Sequence, residues 1–232
     1  MKRGDVISYL DMCREEGVNL QRGMNYHLRN GYSIILMSLR RGAPYADRIE
    51  DEGRTLIYEG HDAPTRRGGA NHKSLDQPLQ HPSGQLTQNG LFFEAATKLK
   101  EMQSTPERVK VYEKIQNGIW TYNGFFELLD AWQEGADGRQ VFKFRLRLLE
   151  DQGKSDGTAG AQQLLEHDRV IPTSVKLTVW KRDKGRCIKC SSQNNLHFDH
   201  IIPFSLGGAS IVAENIQLLC ARHNLQKHDR IE

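Results

Sequence analysis

Apolar and β-favouring runs recur through the first two thirds of the chain: Tyr32 to Ser38, Thr55 to Tyr58, Val109 to Ile115, Ile119 to Trp132 and Gln140 to Leu149, with glycine-rich turns between them. This alternation predicts the strands of one sheet or barrel. One segment breaks the pattern. From Asn89 to Met102, Leu91, Ala95, Leu99 and Met102 fall at helical spacing behind a capping Thr87, which predicts an amphipathic helix lying on the strands. The expected fold class is α+β. Arg40 to Arg54 and Pro64 to Ser83 are polar, rich in Gly, Pro and charge, and too long for simple turns, so they are candidate functional loops. Asp151 to Gln163 has no periodicity and is dominated by small and polar residues. We read 151–170 as a linker between a domain at 1–150 and a second at 171–232.

Composition narrows the class without naming it. A chain of 232 residues with 38% hydrophobic and 26% charged positions suits a globular protein of two domains rather than a disordered one. No apolar run approaches the ~20 residues that cross a bilayer. Met1 to Asp5 lacks the apolar core of a signal peptide, so a cytoplasmic protein without a membrane partner is expected. The net charge of +3 is small, but from residue 171 onward nine Lys or Arg face five Asp or Glu. The positive excess therefore sits in the C-terminal quarter, where phosphate contacts would use it.

Three of the four cysteines also lie there. Cys187-x-x-Cys190 and Cys220-x-x-His223 are two pairs at the spacing that lets one tight turn present two side chains to a single ion. Together they form a Cys3His set suited to structural Zn2+. A domain this small has little apolar core, so the metal would supply part of its folding free energy.

Between the two pairs stand His197-Phe198-Asp199-His200-Ile201-Ile202-Pro203, Ser205-Leu206-Gly207-Gly208 and Glu214-Asn215-Ile216-Gln217-Leu218-Leu219. The segment from Ile171 to the end resembles the HNH, or ββα-metal, nucleases. That resemblance implies a small zinc-stapled domain that hydrolyses phosphodiesters with a catalytic Mg2+ or Mn2+. It makes His200 the general base, Asp199 a ligand of the cation and Asn215 the residue that ties the loop to the strand. The last motif position falls on Asn224, whose amide oxygen becomes the second cation ligand. His223 is the alternative motif histidine, which would leave zinc with three cysteines; four-coordination favours His223 on zinc. His228 and His197 have no settled role, and Lys227 is a candidate phosphate contact.

A second resemblance covers Gly4 to Leu149. Gly4-Asp5, Tyr32 to Leu36, Tyr45-Ala46-Asp47, Thr55 to Gly60, Asp76 to Leu79 and Trp120-Thr121-Tyr122-Asn123-Gly124 follow in the order found in SRA (YDG) domains, with Asn123 in place of the middle Asp. It implies a curved β-barrel with flanking helices that flips a modified cytosine out of duplex DNA. A flipped base needs aromatic faces and an acceptor for its exocyclic amine. Tyr45 and Tyr58 match the stacking pair and Asp47 the acceptor, with Asp51 as the fallback. Arg40, Arg41, Arg66, Arg67, Asn71 and Lys73 are candidate DNA contacts in the loops.

The combined reading is a modification-dependent restriction endonuclease that senses 5-methylcytosine or 5-hydroxymethylcytosine in double-stranded DNA and cuts nearby, working as a homodimer. The short linker predicts a cut close to the recognised base. Its rivals are a reader of modified DNA that does not cut and an HNH nuclease that recognises unmodified DNA.

Overall fold

The computed structural model describes residues 1–64, 71–149, 170–202 and 208–227. Its larger part is an eight-stranded sheet of β1 (Val6–Ser8), β2 (Met24–Asn25), β3 (Ser33–Met37), β4 (Arg48–Glu50), β5 (Thr55–Glu59), β6 (Glu107–Gln116), β7 (Ile119–Ala136) and β8 (Arg139–Leu148). The strands run in the order β2-β3-β6-β7-β8-β5-β4, with β1 on β7. Among the described residues only β3 and β6 pair in parallel. Among the described residues β2 and β4 end the path, so the sheet is open and no closed barrel is seen. Tight turns at Asn117-Gly118 and Asp137-Gly138 join the long strands. Asp137 and Gly138 both take positive φ, of 50° and 77°, as a two-residue hairpin turn requires. Register shifts in β6–β7 and β7–β8 bend the long strands, which lets one sheet wrap a core.

Two helices lie against this sheet, α1 (Tyr9–Glu16) and α2 (Gln88–Lys100). Helix α1 starts at Ser8, whose side chain accepts from the Asp11 N–H, and ends at Gly17 in the left-handed region. Helix α2 begins at the expected Thr87 cap, but the face it buries is centred on Asn89, Phe92 and Ala96, one position beyond the predicted stripe. Met102 lies outside the helix and is 94% exposed. Phe92 and Phe144 meet edge to face in a core shared with Leu56, Val109, Val111, Phe126 and Leu146.

The smaller part consists of α3 (Thr173–Arg182), a two-stranded antiparallel sheet of β9 (Leu196–His200) and β10 (Ile216–Cys220), and α4 (Ala221–Lys227). Val175, Val179, Phe198, Ile216 and Leu218 form its centre, and Ile115 of β6 is buried in the same cluster. Each such side chain removed from water contributes ~1.5–3 kcal/mol, so the seam with the large sheet is part of this small core. No helix of the described residues is long and apolar enough to cross a membrane.

Candidate active site and base pocket

The two half-sites of the C-terminal part converge. Cys187, Cys190, Cys220 and His223 place their ligand atoms within 4.8 Å of one another. Cys190 Sγ and Cys220 Sγ are 3.8 Å apart, and His223 Nδ1 is 3.3 Å from both Cys187 Sγ and Cys220 Sγ. Thiolates ~2.3 Å from a tetrahedral zinc stand ~3.8 Å apart, so the donor set fits that ion. Burial pushes the Cys187 thiol up, but backbone donors at Cys220, Lys189 and Cys190 together with the His223 side chain outweigh it and bring the pKa down to about 6. A thiol so disposed ionises readily, as a metal ligand must.

This cluster holds both ends of the hairpin that carries Asp199 and His200. In the β9–β10 register Asp199 stands opposite Gln217, and His200 opposite Ile216. Arg182 and Asp183, at the end of α3, brace β10 by bonding the Ile216 carbonyl and the Leu218 N–H. The Asn215 amide accepts from Ile202 N–H at 2.8 Å and donates to the carbonyls of Ile202 and Ala209 at 3.1 Å. It thus holds the two ends of the loop that leaves and rejoins the hairpin. Gly208 is needed for that closure, because a Cβ there would stand 1.9 Å from the Ile202 carbonyl oxygen.

Asp199 Oδ2 is engaged by Lys227 Nζ at 3.0 Å and by Gln217 Nε2 at 3.4 Å. Its Oδ1 carries no hydrogen bond among the described residues, nor does the side chain of Asn224, one turn before Lys227 on α4. Two oxygen donors of the kind hard divalent cations prefer are therefore uncommitted in this region. Lys227, expected at phosphate, is instead 1% exposed and also donates to the His200 carbonyl at 2.6 Å. His200 Nε2 is 2.8 Å from the hydroxyl of buried Ser210, a partner that no spacing in the sequence announced. His197, two residues before Asp199 on β9, pairs through Nδ1 with Asp5 Oδ1 at 2.8 Å. His228 lies outside the described residues.

The large sheet carries a cavity of about 930 Å3, which Tyr45, Asp47 and Tyr58 all line. That is within the ~300–1,000 Å3 of small-ligand pockets. Tyr58 projects from β5 and is 1% exposed. Asp47 precedes β4 and accepts from Glu59 N–H at 3.0 Å and Ser38 N–H at 3.2 Å. Burial pushes its carboxyl group up to about 7 against the pull of those two donors. The fallback Asp51 is exposed, accepts from the Thr55 hydroxyl and does not reach the cavity.

Sequence reasoning missed His61, which lines the same cavity. Its ring stacks on Tyr45 at 5.3 Å between centroids, and its Nε2 is 3.0 Å from the Tyr58 hydroxyl. Asn89 of α2 fixes its backbone by bonding both its N–H and its carbonyl. Burial holds the imidazole neutral, with a pKa lowered to about 4. Position alone could have flagged it, three residues after Tyr58.

Arg40 and Arg41 line the cavity mouth. Asn71 caps a short 3-10 turn, and Lys73 lies 4.2 Å from the Tyr45 ring centroid while pairing with Asp62 at 2.9 Å. Both are engaged within the protein. Arg66 and Arg67 are outside the described residues.

A curved sheet with an aromatic-lined cavity is thus joined to a ββα hairpin closed by a Cys3His group. The SAD/SRA domain family matches residues 1–152 and the HNH endonuclease family residues 187–230. The chain belongs to the SAD/SRA domain family and carries an HNH endonuclease segment. No curated protein matches it. Among solved structures it is similar to the SRA domain of SUVH5 with hemimethylated CG DNA, at 25% identity over 68% of this chain and 94% of that one, TM-score 0.45. The same domain bound to fully hydroxymethylated CG DNA gives 25% identity over 63% and 88%, TM-score 0.42. The modification-dependent TagI restriction endonuclease gives 18% identity over 97% of this chain and 76% of that one, TM-score 0.38.

Proposed function

We propose that the protein is a modification-dependent DNA endonuclease: the 1–150 part flips a modified cytosine into the cavity, and the 171–232 part hydrolyses a nearby phosphodiester. One observation carries the reading. The same chain brings Tyr45, Asp47 and Tyr58 to one cavity and Asp199 and His200 to a stapled hairpin. Tyr45 and Tyr58 replace the stacking a flipped base loses, and a remaining lone pair of Asp47 accepts from the cytosine amine.

In the nuclease part, the zinc site stiffens the hairpin and His200 takes a proton from the attacking water. A P–O bond to that water forms as the P–O3′ bond breaks, leaving a 5′-phosphate and a 3′-oxyanion that takes up a proton to become the 3′-hydroxyl. Asp199 and Asn224 would hold Mg2+ or Mn2+, which would supply positive charge to offset the negative charge that develops on the phosphate. Lys227 orients Asp199 through its ion pair at 3.0 Å, and Ser210 fixes the His200 ring.

The test uses methylated and unmethylated copies of one plasmid with Mg2+ or Mn2+. Cutting is expected only of the methylated copy, and loss of cutting is expected in His200→Ala. Equal cutting of both copies removes the modification-sensing half of the reading. A mobility shift with no cutting removes the nuclease half.

A further inference from the structure

Where the two parts meet, four side chains form a closed polar cluster. Lys176 of α3 is 1% exposed, and its Nζ is 2.7 Å from both Glu113 Oε2 on β6 and Asn123 Oδ1 on β7. Asn123 Nδ2 donates to Glu113 Oε2 at 3.0 Å, and the Thr173 hydroxyl donates to Glu113 Oε1. One positive and one negative charge are thus buried together, with each partner hydrogen-bonded. Such a pair adds little net affinity, but any other seating of α3 would leave a buried charge alone, so it selects one register.

Asn123 has the one chemistry that closes the cluster. Its amide accepts from Lys176 while donating to Glu113. An Asp would set a second carboxylate against Glu113, with no donor and an unbalanced charge.

A second tie reaches the catalytic strand itself. Gly4 N–H bonds the Tyr122 carbonyl of β7, and the Gly4 carbonyl accepts from Phe198 N–H of β9 at 3.1 Å. Asp5 bridges His197 and pairs with its ring. Gly4 has φ +95°, and a Cβ there would stand 3.0 Å from the Phe198 carbonyl oxygen, so only glycine fits the strap. Asp199 and His200 follow directly on the strapped residues.

We propose that reader and nuclease act as one docked body: Lys176, Glu113 and Asn123 set its register, the Gly4-Asp5 strap ties β9 to β7, and this docking fixes the distance from recognised base to cut. The inference rests on the proposed function and revises the expectation that linker reach sets that distance. Lys176, Asn123 and Gly4 are positioning residues in this scheme.

The test maps cut positions to the nucleotide on an end-labelled duplex holding one 5-methylcytosine, with full-length protein and Mg2+, alongside calorimetry without DNA. The wild type is expected to cut at one or two adjacent phosphates and to unfold in one transition. Inserting a Gly/Ser segment between Gly157 and Thr158 should leave both unchanged. Glu113→Gln with Lys176→Met, which removes both charges at nearly constant volume, and separately Gly4→Ala, should spread the cuts over several phosphates and split the transition. Methylated-duplex binding should persist in each. Cuts that move with the insertion, or stay sharp in the docking variants, overturn the proposal. If the wild type leaves methylated DNA uncut, the function fails on its own, and calorimetry still decides the docking: two transitions in the wild type or in the insertion variant would overturn it.

Discussion

Asp47 shows how burial and function meet in one side chain. Its carboxyl group lies where desolvation raises its pKa to about 7 from an ordinary 3.8. Between those values an unfolded chain has released the proton while the folded one keeps it, so stability falls as pH rises through the window and levels off above it. Asp47→Asn removes this dependence. Relative to the wild type, the variant should gain stability between pH 5 and pH 8, by ~1.4 kcal/mol for each pH unit inside the window. Denaturant titrations at the two pH values measure it. A constant offset between the two proteins would mean that the carboxylate is well solvated. Tyr45, Asp47 and Tyr58 were picked out by an order of motifs that resembles SRA domains, and all three line one cavity. Ser210 was not picked out, because no spacing marks its contact with His200, whereas His61 could have been, standing three residues after Tyr58.

At the scale of elements, long strands could be read from their alternation, and short ones could not. Strands β1, β2 and β4 have two or three residues each, too few for a period, and α1 hides its pattern by leaving Leu10 66% exposed. The Cys3His set, by contrast, could be read from its two closely spaced pairs, which the fold brings together across 30 residues. Its energetic role follows from element size. A five-residue hairpin strand and a seven-residue helix are far below the ~12–15 residues at which even good helices hold together alone. The protein should therefore purify with one zinc per chain. Cys220→Ser should lose it and split the single transition, the C-terminal part unfolding first, while the Tyr45 cavity still binds methylated duplex. Metal analysis and calorimetry read both effects. A zinc-free protein with unchanged melting would make the four ligands a coincidence of packing.

For the molecule as a whole, the sequence led us to expect two parts but said nothing of contacts between residues more than 50 positions apart, such as Lys176 with Glu113 and Phe198 with Gly4. That docking bears on strand choice. A body with one hairpin site at a fixed offset from its base pocket can address only one of two antiparallel strands. Breaking a duplex then calls for a second copy, whose site faces the other strand. The proposed homodimer makes a specific prediction about mixtures. Wild-type protein alone should linearise a plasmid carrying a single modified site. Adding a large excess of His200→Ala, which still binds, should place most active chains beside an inactive partner and convert the product to nicked circles. If each chain instead worked alone and cut twice in succession, the inactive protein would slow the reaction without changing the proportion of nicked to linear product. Gel quantification of that proportion across mixing ratios separates the two, and an unchanged proportion would rule out paired action.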